Sequence, residues 1–120
     1  MNKYVDGFVL PIARGNIEKY QELARKAGEI WKEHGALDYF ECVGDDLEIE
    51  KMLSFKRIAS AGEDETVIFA WIVFESREHR DRVNAAVMED PRMKEEMANK
   101  EMPFEVERMA YGGFKTLVEI

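Results

Sequence analysis

Cysteine is nearly absent. Cys42 is the only one in 120 residues, so no intrachain disulfide can form and no cysteine-based metal framework exists. Histidine is almost as scarce, with His34 and His79 alone. They fall on different predicted elements without an i,i+4 partner, which makes a weak metal signal, and neither a metal nor a cofactor is expected. Long apolar runs are missing too. The longest, Val67–Phe74, falls short of the roughly 20 residues that cross a bilayer as a helix. Asp6 interrupts any signal-peptide core near the N-terminus. No membrane partner is expected, and the expected compartment is the cytoplasm. Positive charge is in deficit: 17 Lys and Arg stand against 25 Asp and Glu, a net charge of −8. A surface of that sign repels phosphate backbones, so nucleic acid is excluded as an expected partner.

What is present is a core. Hydrophobic residues make up 46% of the chain and charged residues 35%, the balance of one soluble globular domain spanning residues 1–120. Its most telling segment is Thr66–Phe74, T-V-I-F-A-W-I-V-F. A strand with one wet face alternates apolar and polar residues, whereas an unbroken apolar run is covered on both faces. A chain this short has helices for one face only. The other is expected to be covered by a second copy, giving a homodimer with an enclosed space between two sheets.

Around that strand, Tyr4–Leu10 reads as strand one, closed by Pro11. Asn16 is placed to cap a helix over Ile17–His34, whose inner stripe includes Tyr20, Ala24, Ala27 and Trp31, and Gly35 stops it. Strand two is Ala36–Val43. Met52–Ile58 is read as an extra edge strand and Ala59–Glu65 as an exposed acidic turn. Ser76 caps a second helix over Arg77–Met88. Asp90-Pro91 opens a third, to about Lys100. The last strand runs over Glu107–Leu117 with Gly112-Gly113 inside it. The order β-α-β, insert, β-α-α-β is the ferredoxin-like split βαβ arrangement, an α+β fold with an antiparallel sheet.

Several residues could carry chemistry, each with a plainer alternative. Asp6 shares a face of strand one with Tyr4, Phe8 and Leu10; in an apolar cavity it could serve as general acid or base. The alternative is a carboxylate paired with an arginine such as Arg108, or exposed at the strand's edge. His34 closes helix one, and His79 lies in the first turn of helix two among Arg77, Arg80 and Arg82. Both are candidate proton carriers, and both are also accounted for by their places at helix ends. Glu41 suits an edge-strand salt bridge, and Cys42 a small buried apolar role. Trp71 could stack on a flat ligand or serve core packing. Tyr111 and Met109 on the last strand carry the same ambiguity. Arg80, Asn84 and Arg92 could clamp an anionic ligand, or be solvated surface.

Four segments together resemble one bacterial family: Y-V-D-G-F-V-L-P (Tyr4–Pro11), W-K-E-H-G-A-L-D-Y-F-E-C-V-G-D-D (Trp31–Asp46), S-R-E-H-R-D-R-V-N-A-A-V-M-E-D-P-R-M (Ser76–Met93) and M-P-F-E-V-E-R-M-A-Y-G-G-F (Met102–Phe114). The family is the domain of unknown function numbered 1428, the YbaA-like group, in the dimeric α+β barrel superfamily beside antibiotic-biosynthesis monooxygenases and haem-degrading oxygenases. The resemblance implies a dimeric barrel and no established activity. Phe74-Glu75-Ser76 is similar to the W-E-S segment of the monooxygenase-like members. In haem-degrading members a strand-one Asn, that Trp and a later helical His carry function; the corresponding positions here are Asp6 or a neighbour, Phe74, and a residue within Glu95–Met97. The missing helical His removes the axial iron ligand.

The expectation is a protein that binds a small organic molecule in a cavity. Asp6, with His34 or His79, would handle a proton there, and likeness to the wider superfamily implies cofactor-independent oxygenation, in which a deprotonated, electron-rich substrate reacts with oxygen itself. The alternative is a non-catalytic metabolite-binding or structural dimer module.

Overall fold

The structure is a computed structural model that describes residues 2–98 and 101–120. Strand β1 spans Tyr4–Ala13, helix α1 Ile17–Glu33, β2 Asp38–Val43, the short α2 Phe55–Ile58, β3 Glu65–Phe74, α3 Arg77–Glu89, α4 Pro91–Ala98 and β4 Ala110–Lys115. The strands form one sheet in the order β2-β3-β1-β4, and every pairing is antiparallel. This is the ferredoxin-like α+β arrangement, with the two long apolar strands at the centre.

Register decides what each face carries. Asp6 pairs with Ile72, Phe8 with Ala70 and Leu10 with Ile68, so these side chains share the face under the helices. There Leu10, Ile12, Ile68, Ile72 and Phe74 are buried against Tyr20, Ala24 and Ile30 of α1, Val83 and Val87 of α3, and Met93 of α4. The opposite face carries Phe40, Cys42, Phe69, Trp71 and Phe114. Phe40 stacks on Trp71 at 5.0 Å between ring centroids, and both Phe40 (50%) and Phe114 (61%) are substantially exposed. One apolar face of β3 is thus covered by the chain's own helices and the other is left largely open.

Local signals placed most helix ends as expected. Ser76 accepts from the His79 backbone N–H at 3.0 Å, and Asp90 accepts from that of Arg92 at 2.9 Å. Gly35 has φ +118°, a left-handed conformation that suits glycine after a helix. The expected end of α4 near Lys100 lies outside the described residues.

Three segments differ from the sequence reading. Met52–Ile58 is not a strand: Ser54 accepts from the Arg57 backbone N–H at 3.2 Å and caps the turn of α2. The backbone N–H of Ile58 donates to the Ser54 carbonyl at 3.2 Å and that of Ala59 to the Phe55 carbonyl at 2.9 Å, the bonds of a helical turn. Phe55 of α2 lies 5.8 Å from Phe69, so the insert covers one end of the open face. Pro11 does not close β1, which runs on to Ala13. Pairing to β4 stops at Val9, so Pro11 lies where β1 has a partner on one side only, and a missing N–H is tolerated. The last strand begins at Ala110, because Val106–Arg108 makes a 3-10 turn that brings Arg108 onto Glu65 at 2.8 Å.

Candidate functional site

A recess of about 240 Å³ lies between the helix face of the sheet and helices α1 and α4. Its walls include Phe8 and Ile72 of the central strands and Ala27 and Trp31 of α1. Five methionines complete it: Met88, Met93, Met97, Met102 and Met109, out of seven in the chain. Unbranched thioether side chains conform to irregular shapes, so such a lining can adapt to an occupant. Across the edge of the sheet, between α1 and β2, runs a wider groove of about 600 Å³ flanked by Arg25, Glu29, Lys32 and Asp38. Tyr20, Ala24, Tyr39 and Glu41 line both spaces, so they form the partition between a largely apolar recess and a charged outer groove.

Glu41 is held within that partition by two phenols. The Tyr20 hydroxyl donates to Oε1 at 2.7 Å and the Tyr39 hydroxyl to Oε2 at 2.6 Å. Alternation on β2 puts Tyr39 and Glu41 on the same face, and Tyr20 comes from the inner stripe of α1. The Tyr39 ring fits because α1 carries Gly28 beside it; a Cβ there would lie 2.7 Å from the ring. Burial pushes the Glu41 carboxyl above the usual carboxylate range, and the two phenol hydrogen bonds oppose that rise. Burial and the adjacent Glu41 charge push both tyrosines well above an ordinary phenol.

Asp6 lies at the centre of a second polar group, under α3. It is 1% exposed. Arg80 Nη1 donates to Oδ1 at 2.8 Å, while Asn84 Nδ2 and the Tyr111 hydroxyl donate to Oδ2 at 3.2 and 3.1 Å. Arg80 also donates to the Tyr111 oxygen at 2.8 Å and sits over the Tyr4 ring. Asn84 in turn accepts from Trp31 Nε1 at 2.9 Å, which ties this network to the wall of the recess. Four of the residues singled out from sequence, Asp6, Arg80, Asn84 and Tyr111, are therefore brought together. Asp6 takes Arg80 as its partner, whereas Arg108 binds Glu65 at the far end of β3.

The remaining candidates lie elsewhere. His34 Nε2 is 2.8 Å from Asp90 Oδ2, beside Arg92, which also binds Asp90 and Glu33. Arg92 is thus separated from Arg80 and Asn84. Hydrogen bonds from Arg92 and His34 hold the Asp90 carboxyl well below its usual range. His79 Nδ1 accepts from the Glu75 backbone N–H at 3.0 Å and closes the first turn of α3. Neither histidine reaches Asp6 or Glu41 through a hydrogen bond. Trp71 is on the opposite face of the sheet, across from Gly7 and Phe40, so it does not share a cavity with Tyr111. Met109 does line the recess. Among the described residues no group of three His, Cys, Asp or Glu side chains is placed to hold a metal, and no helix is long and apolar enough to cross a membrane.

This chain matches the model of a family described as a protein of unknown function, DUF1428, over residues 3–106. It belongs to that family. It is similar to the uncharacterized protein YbaA of Escherichia coli K12 and to its counterpart in Shigella flexneri, at 43% identity over 117 residues covering 98% of both chains. Among solved structures it is similar to a dimeric ferredoxin-like protein from an uncultured marine organism, with a TM-score of 0.58 over the whole of both chains and 8% identity. That likeness concerns the fold. The family as described carries no assigned chemistry, so the side chains themselves must supply it.

Sequence reasoning placed Glu41 in an edge salt bridge and, of the lining methionines, singled out Met109 alone. Two signals were present. Tyr39 and Glu41 are two apart on one strand, and five methionines fall between residues 88 and 109. What was missing was the pairing of β2 with the inner stripe of α1.

Proposed function

We propose that this family member binds a small, largely apolar organic molecule in the recess between its sheet and helices α1 and α4, as a homodimer joined through the open faces of two sheets. The recess carries the reading. An apolar cavity of about 150 Å³ suffices for benzene, and this one is about 240 Å³. The recess opens to solvent beside Met88, Met97 and Val106, so an apolar occupant would take exposed apolar surface out of water. The dimer is supported by the open face of the sheet, where Phe40, Phe69 and Phe114 are exposed and Phe40 stacks on Trp71, an apolar patch of the kind that marks an interaction surface. Nucleic acid and membranes have no part in this reading.

Proton transfer or cofactor-independent oxygenation would act on a ligand held in the recess. A second reading, binding without turnover, is favoured by Asp6. Both of its oxygens are taken by donors from Arg80, Asn84 and Tyr111, which suits an anchor joining α3 to the sheet.

Toluene tests the recess. It should raise the melting temperature of the wild type, and Ala27→Leu, which fills the space from α1, should abolish that rise while leaving the fold as stable as before. No effect of toluene on the wild type sinks the reading.

A further inference from the structure

We propose that Glu41, flanked by Tyr20 and Tyr39, is the proton-accepting group for a hydroxyl-bearing aromatic ligand in the recess. The inference rests on the recess being a ligand site and adds the class of ligand and the residue that acts on it.

The geometry supports each part. Glu41 lines the apolar recess and also the outer groove, so it is a carboxylate with an apolar side and a polar side. Its two phenol partners each take one position on a different oxygen. An ionised carboxylate has about four acceptor positions, so capacity for a ligand hydroxyl remains. The aromatic preference follows from Phe8, Trp31 and the methionine lining, which supply flat and polarizable walls.

The step is a simple exchange. The ligand O–H bond breaks, its proton joins a Glu41 oxygen lone pair, and the O–H electron pair stays on the ligand as a phenolate. One negative charge is present before and after, so no new charge is placed in the apolar recess. The other charged groups around Glu41 are few: Glu96 of α4, which pairs with Lys26 at 3.4 Å, lines the recess, while Arg25, Glu29 and Lys32 of α1 and Asp38 of β2 flank the groove.

The test compares para-nitrophenol with para-nitrotoluene, of nearly the same shape but without the hydroxyl. Wild-type protein should bind the phenol about tenfold more tightly, the scale of one hydrogen bond to a charged acceptor. Bound phenol should show the nitrophenolate absorbance band. Glu41→Gln should bind both molecules alike and lose the band, with nitrotoluene affinity unchanged. Tyr20→Phe and Tyr39→Phe remove donors that favour the ionised carboxylate, so Glu41 becomes more basic and the nitrophenolate fraction should rise at fixed pH. That rise is not expected of a merely structural pair. Equal binding of the two molecules to the wild type, or an undiminished preference in Glu41→Gln, overturns the role of Glu41 and leaves the recess standing. Failure of the wild type to bind nitrotoluene at all removes the recess as well.

Discussion

The Tyr39 hydroxyl reaches back to Glu41 Oε2 at 2.6 Å, across two residues of the same strand. Neighbours two apart on a strand point to the same side, and a phenol is long enough to lean along the strand onto the carboxylate. With Tyr20 completing the pair from α1, a charged group is held in a partly buried wall.

Its pH dependence follows. Burial raises the folded-state pKa of Glu41 above the unfolded value of 4.5. Between those two values the folded state binds more protons than the unfolded state, so stability falls as pH rises through the window. Glu41→Gln should remove that falling component. Urea denaturation at several pH values between about 4 and 8, for wild type and variant, would show it; parallel profiles would contradict it.

Glu65 has the opposite sign. Its hydrogen bonds from Arg108, with one from the Gly62 backbone, hold its pKa down to about 2. Stability from this pair is complete above the unfolded value of 4.5 and is lost as pH falls toward 2. Arg108→Gln should move the midpoint of acid unfolding to higher pH. It should also loosen the insert, since Arg108 donates to the Ser60 carbonyl at 2.8 Å. Circular dichroism during acid titration gives the midpoint, and an unmoved midpoint would discount the pair.

Asp6→Asn should cost about 3 kcal/mol, because it leaves Arg80 beside an amide where a carboxylate had been. Asp6→Leu combined with Arg80→Leu should be less harmful than the two single changes added together. Equilibrium denaturation of the four proteins measures this, and simple additivity would mean that the pair does not act as a unit.

Phe69→Asp places a charge on the open face of the sheet, among Phe55, Trp71 and Cys42. The wild type should sediment as a dimer and the variant as a folded monomer. A monomeric wild type would count against the proposed assembly.

Much of the fold was legible because its signals are local. Serine and aspartate at helix starts, Gly35 at a helix end and alternation along the strands each act within a few residues. The insert was misread because M-L-S-F-K-R-I suits a strand by composition, while Ser54 as a cap selects a helical turn. Asp6 was left open between a cavity carboxylate, one paired with an arginine such as Arg108 and one exposed at the strand's edge. Its partners were not legible, since Arg80 and Tyr111 lie 74 and 105 positions away along the chain.

By itself, the sequence determined which side chains share a face, since the two-residue period of a strand leaves no choice. It also showed that neither face of Val67–Phe74 is polar, which is why cover on both was expected. Only the tertiary structure decided which face the helices take. That choice put Asp6 inside, set Glu41 and Met93 against the helices, and left Trp71 on the open side. The physical reason is that an apolar strand fits equally well either way up. The selection comes from the hand of the connections and from what α1, α3 and α4 bring to meet it.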